Sequence, residues 1–138
     1  MTLDERGRIM ESRAEIAVNK RAIDAMNCAQ AVATTYSDLT DMSADDLEII
    51  TQSLGTGIGA SMEGTCGAIT GGAIIIGLMN KDTGRSQAMK ETRGLIAGFV
   101  SQNGAVTCKE LKGINTGCML RSCEDCIRDV CGYIESLV

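Results

Sequence analysis

Gly64-Thr65-Cys66-Gly67-Ala68-Ile69-Thr70-Gly71-Gly72-Ala73-Ile74-Ile75-Ile76-Gly77-Leu78-Met79 contains the most apolar run of the chain, the 14 residues from Cys66 to Met79. That is too short for a membrane span, which takes about 20 apolar residues in a helix. Ile74-Ile75-Ile76 alone would suit a strand, but the length of the run and its four glycines favour a buried helix. No other segment reads as a credible strand. The chain therefore reads as all-α: a single compact domain of about five to six helices, with a glycine-rich loop before this central buried helix.

Working outward, Asn80-Lys81-Asp82-Thr83-Gly84 is a turn that ends the central helix. Upstream, Gly55-Thr56-Gly57-Ile58-Gly59-Ala60 alternates glycines, which implies tight turning or a close approach. A phosphate loop is the sharp reading. The segment lacks a Gly-Lys-Ser/Thr ending and Gly-x-Gly-x-x-Gly spacing, and no strand precedes it, so crowded helix packing or a glycine wall around a cofactor fits better. Leu3 to about Ala25 predicts a charged surface helix with Ile9, Ile16 and Ile23 as a thin apolar stripe, a candidate homodimer face. Asn27 caps a helix from Cys28 to Ser37. Ser43 opens another, with Asp46 at the capping position and Leu47, Ile50, Leu54 and Ile58 as its apolar face. A fifth helix is expected from Ser86 to Gln102, with Met89, Ile96, Phe99 and Val100 on one face and Gly104 as its stop. Cys108 to Lys112 is a short helix, Gly113 to Gly117 a loop, and Cys123 to Leu137 the closing helix. No linker divides the chain. Residues 1–26 are expected to form the surface helix and 27–138 the cysteine-rich core of one domain, 1–138.

The chain has 138 residues, seven of them cysteine, and no histidine, proline or tryptophan. Without histidine there is no Ser-His-Asp or Cys-His catalysis, no His-ligated zinc and no c-type haem attachment. Tyr36, Phe99 and Tyr133 are the only aromatics, so aliphatic residues must fill the core. A net charge of −5 argues against nucleic acid as a partner. The start Met1-Thr2-Leu3-Asp4-Glu5-Arg6 shows neither an apolar signal region nor twin arginines, so a cytoplasmic protein that is not membrane-embedded is expected. In a reducing compartment, seven cysteines point to metal or redox chemistry rather than to a disulfide framework.

Four of the cysteines follow residues that cap helices. Cys28 follows Asn27, Cys66 follows Thr65, Cys108 follows Thr107 in a Thr-x-x-Glu capping box with Glu110, and Cys123 follows Ser122. A helix N-terminus offers unpaired N–H groups and about half a positive charge. Thiolates, the form of cysteine that binds metals and attacks electrophiles, are stabilised there. Four such starts aimed at one point would make a four-thiolate site. Cys118-x4-Cys123-x2-Cys126 copies the first three positions of plant-type ferredoxin spacing, and Cys123-x-x-Cys126 has the form of a thiol–disulfide pair. Cys131 reads as core filling.

Asn27-Cys28-Ala29-Gln30-Ala31-Val32, Gly64-Thr65-Cys66-Gly67-Ala68-Ile69-Thr70-Gly71, Cys108-Lys109-Glu110-Leu111 and a late cysteine together resemble the C_GCAxxG_C_C family of redox-active proteins. The family's four characteristic cysteines fall on Cys28, Cys66, Cys108 and Cys123, the last through Cys123-x3-Ile127-Arg128-Asp129. Cys118, Cys126 and Cys131 depart from the pattern, and Cys118 or Cys126 could replace Cys123 as a ligand. The chain is also similar to the cluster-binding part of split-Soret cytochromes, without their haem-binding residues. These resemblances imply an iron–sulfur cluster, 2Fe preferred over 4Fe, on Cys28, Cys66, Cys108 and Cys123, with Gly67 beside it. They imply electron transfer or redox sensing alongside an oxidoreductase or transporter, by a carrier or accessory protein rather than a stand-alone enzyme. A thiol–disulfide protein using Cys123/Cys126 or Cys118/Cys123, and a structural zinc protein with four cysteine ligands, are the alternatives.

Overall fold

The computed structural model describes residues 2–3, 9–10 and 12–138. These residues form seven α-helices, more than the five to six expected: α1 (Arg13–Ala22), α2 (Cys28–Thr35), α3 (Ala44–Ile50), α4 (Gly67–Met79), α5 (Arg85–Asn103), α6 (Cys108–Lys112) and α7 (Cys123–Ser136). The class is all-α. Among the described residues the sole pairing of strands is a ribbon of β1 (Thr2–Leu3) and β2 (Ile9–Met10), antiparallel with Leu3 opposite Ile9.

The helix starts follow local capping chemistry. Ser12 accepts from the Glu15 N–H at 3.2 Å and sets the start of α1 there, well after the predicted Leu3. The predicted stripe does not form one face. The Ile9 side chain lies outside the described residues, Ile23 is 76% exposed beyond the helix, and α1 buries Ala17 and Val18 instead. Asn27 and Gln30 form a reciprocal capping box on α2, and Ser43 caps α3 through the Asp46 N–H at 3.1 Å.

α4 lies at the centre, against α2, α5 and α7. Ile69, Ile75 and Ile76 of α4 are buried with Val32, Tyr36, Leu47, Ile127, Val130 and Ile134 in one core. Each buried isoleucine contributes roughly 1.5–3 kcal/mol, more than the ~1 kcal/mol of a good cap. Packing rather than capping therefore holds α4, whose N-cap residue makes no side-chain cap bond. Gly71 is where α2 and α4 touch: a Cβ there would lie 2.6 Å from the Ala29 carbonyl oxygen. α5 turns inward on Leu95 and Phe99, while Met89 and Val100, expected on its core face, are exposed. α1 is clipped to α7 by Arg128 to Glu15 at 2.7 Å and Arg21 to Glu124 at 3.0 Å. Among the described residues no helix is long and apolar enough to cross a membrane.

The segment between α3 and α4 departs most from expectation. α3 stops at Ile50, so Leu54 and Ile58 do not extend its apolar face. Thr56, Gly57, Ile58, Gly59, Ala60 and Met62 instead have φ between +51° and +72°. This is a left-handed stretch, and glycine alone does not explain it, because four of its members carry side chains. Hydrogen bonds such as Met62 N–H to the Thr56 carbonyl at 3.0 Å close it on itself. Its exit is then zipped to the approach to α6: Cys66 N–H donates to Val106 O at 2.7 Å, Cys108 N–H to Gly64 O at 3.0 Å, and Lys109 N–H to Met62 O at 2.9 Å.

Candidate functional site: a pocket walled by five cysteines

That zipper brings Cys66 beside Cys108, although 42 positions separate them. Thr65 and Thr107 pair in an antiparallel bridge. Thr107 consequently makes no side-chain cap bond, and the predicted capping box with Glu110 does not form. Cys66 is held extended and serves as the N-cap of α4, one residue before its first turn. Cys28 and Cys123 are the first residues of α2 and α7, after Asn27 and Ser122, whose side chains accept from Gln30 N–H at 2.8 Å and Asp125 N–H at 3.1 Å.

One pocket collects these ends. Cys28, Cys66, Gly67, Cys108 and Cys123 line it, together with Cys126 from the first turn of α7. Thr56, Leu111, Lys112 and Arg121 complete the wall. Gly57 lets the left-handed stretch approach: with φ +72° it is in the region that favours glycine, and a Cβ would lie 2.8 Å from the Cys108 Cβ. The free volume inside is about 20 Å3, room for one water.

The sulfurs are hydrogen-bonded in pairs. The Cys28 thiol donates to Cys123, and the Cys126 thiol donates to Cys66. Cys123 drops to about 5, chiefly through the Cys28 bond and then through Arg21 and Lys112, against the cost of burial. Cys66 is also held below the ordinary thiol range, by Cys126 first and then by the Ala68 and Ile69 N–H groups at the start of α4. The donors move the other way: Cys28 and Cys126 are pushed far up, each by its bond to the partner sulfur and by burial. Burial also pushes Cys108 up, with Lys112 opposing. The site holds two hydrogen-bonded sulfur pairs, with Cys108 as a fifth sulfur in the same wall.

This pattern overturns the metal expectations. Among the described residues no group of three or more His, Cys, Asp or Glu side chains is arranged to hold a metal ion. An iron–sulfur cluster of either kind, or a four-cysteine zinc, needs several thiolates at one centre. Here Cys28, Cys66, Cys108, Cys123 and Cys126 line one pocket without forming such a group. The iron–sulfur and electron-transfer reading of Cys28, Cys66, Cys108 and Cys123 is therefore withdrawn, and structural zinc with it. The disulfide alternatives fall too. All seven cysteines are free, Cys118 is exposed on the loop before α7 and outside the pocket, and Cys123 and Cys126 each bond a different sulfur rather than each other. Cys131 is fully buried in the core, where burial pushes its thiol up to about 11.

Sequence reasoning passed over the cations. Lys112 follows Cys108 by four residues, the spacing that puts two side chains on one face of a helix. That signal was present. Arg21 had none, since α1 reaches the site only through its packing on α2 and α7, whose starts lie far off in sequence.

Fold and site together define a small all-α protein with a pocket of paired thiols. Residues 26–137 match the model of a family described as "Putative redox-active protein (C_GCAxxG_C_C)", and the chain belongs to that family. No curated protein and no solved structure matches it, so the likeness to split-Soret cytochromes has no support from these comparisons.

Proposed function

We propose that the pocket is a nucleophilic thiol site, with Cys123 as the attacking thiolate and a small electrophile as its substrate. The observation that carries this is the placing of the Cys123 sulfur, half-exposed at the N-terminus of α7, between the Cys28 thiol and the Lys112 ammonium. A donor, a cation and a helix N-terminus all favour its charged form. The sulfur's electron pair forms the new bond to the electrophilic carbon, and the leaving group departs with its own pair. No proton has to be removed, because Cys123 is already ionised, and the Cys28 S–H remains to hold the sulfur in place. The small free volume admits only the reacting end of the substrate. Electron transfer is no part of this reading. A reducing, cytoplasmic setting is, since the chemistry requires free thiols.

The test is alkylation of the reduced protein with iodoacetamide over a pH series, read peptide by peptide by mass spectrometry. Cys123 should lose half its maximal rate near the pH where its thiolate is lost, about 5. A half-maximum at the ordinary thiol value of about 8.5 would overturn the proposal.

A further inference from the structure

Arg21, Arg121 and Lys112 approach the pocket sulfurs, and two of the three are already paired with carboxylates. Arg121 is bidentate on Asp129, at 2.8 and 3.0 Å, and Arg21 holds Glu124 at 3.0 Å. Lys112 differs. It stands half-buried in the pocket wall, and its partners are sulfurs: it hydrogen-bonds Cys123 and faces Cys108 and Cys28, with no carboxylate bonded to it among the described residues.

We propose that Lys112 makes the site selective for anionic electrophiles, those carrying a carboxylate or similar group within a few bonds of the carbon attacked. This rests on Cys123 being the nucleophile. When the sulfur forms its new bond it loses its negative charge, and Lys112 loses its counter-charge. An unpaired, half-buried ammonium is unfavourable. A neutral adduct leaves it so, whereas an adduct bearing its own anion restores the pair. The same attraction acts as the substrate approaches, since the mouth at Cys123 has Lys112 on its rim. With iodoacetate the thiolate pair forms the S–C bond, iodide leaves with the C–I pair, and the carboxylate stays on the adduct. The charge lost at sulfur is thus replaced beside it.

Iodoacetate and iodoacetamide differ in this charge and little in size. The experiment measures both rates at Cys123 and at exposed Cys118 in the same reduced full-length protein. The ratio of iodoacetate to iodoacetamide rates should be about tenfold higher at Cys123 than at Cys118. It should fall to the Cys118 ratio in Lys112→Gln and be retained in Lys112→Arg. Equal ratios at the two cysteines, or a ratio indifferent to Lys112→Gln, would refute the anion preference while leaving the thiolate reading intact. If Cys123 reacts with neither reagent, both readings fail.

Discussion

Cys123 and Cys66 are the same residue type in the same pocket, each accepting a hydrogen bond from a neighbouring thiol, yet their surroundings differ. Cys123 is half-exposed and relies on Lys112 and Arg21 for its charge. Cys66 is only 6% exposed and relies on the backbone N–H groups of Ala68 and Ile69. Side-chain cations and an open rim make one thiolate reachable. Backbone dipoles hold the other below the ordinary thiol range, but close packing seals it from solvent. Reactivity here is decided as much by which sulfur meets solvent as by which one is lowered.

The most disruptive way to break this contrast is at the α2–α4 contact. Gly71→Val places side-chain atoms against the Ala29 backbone and pushes apart the helices that begin at Cys28 and next to Cys66. It should cost about 3 kcal/mol in urea unfolding. In the same variant, native-state alkylation of Cys66 should rise toward that of Cys123. A variant as stable as the parent, with Cys66 still protected, would show that this packing is not the seal.

A narrower change sharpens the contrast. Cys28→Ala removes the donor to Cys123 and leaves Cys126 and Cys66 untouched. The half-maximum of Cys123 alkylation should move up by at least about one pH unit, a tenfold loss of rate in mildly acidic solution. An unmoved profile would assign the low value to Lys112 and Arg21 alone.

The mildest effect is on stability, because Cys123 is half-exposed and solvent screens its interactions. Its folded value of about 5 lies below that of the unfolded thiol, so between the two the unfolded chain binds the extra proton. Stability should rise with pH from about 5 to about 8.5, an interval in which a chain without histidine has few other groups to titrate. Above the ordinary thiol range the sign reverses. Cys28, Cys126 and Cys131 keep their protons when folded and lose them when unfolded. Urea midpoints that stay flat from mildly acidic to neutral pH would contradict the assignment.

Much of the fold could be read from short polar signals. Asn27, Ser43 and Ser122 mark helix starts because a side chain and an N–H three residues on are enough to make a cap. Thr107 carries the same signal and α6 does start after it, but without the side-chain bond, its backbone being bridged to Thr65, a partner far off in sequence. The face of α5 is half legible for a related reason: Phe99 and Ile96 pack inward as expected, but the neighbouring helices leave Met89 and Val100 exposed and take Leu95 instead. At the site, the sequence marks cysteines near helix starts, and the pocket contains them. What could not be read was how the sulfurs share protons. Spacing says which thiols meet, whereas two-by-two hydrogen bonding depends on orientations set by α1, α6 and the zipper. The left-handed stretch was invisible for the plainest reason, since Thr56, Ile58, Ala60 and Met62 are ordinary residues held in an unusual conformation by their surroundings.

That stretch also makes drift one-directional. Each side-chain-bearing residue in it is disfavoured by about 1–2 kcal/mol relative to right-handed backbone, a cost glycine escapes. Replacement of Ala60 by glycine is therefore open, because its small side chain is exposed and little packing is lost. Replacement of Gly57 is closed twice over, by its φ of +72° and by the Cys108 and Met62 atoms within 2.8 Å of where a Cβ would stand. Under neutral change the segment can gain glycine but cannot lose this one. The wall nearest Cys108 is then the part of the pocket that sequence divergence erodes last.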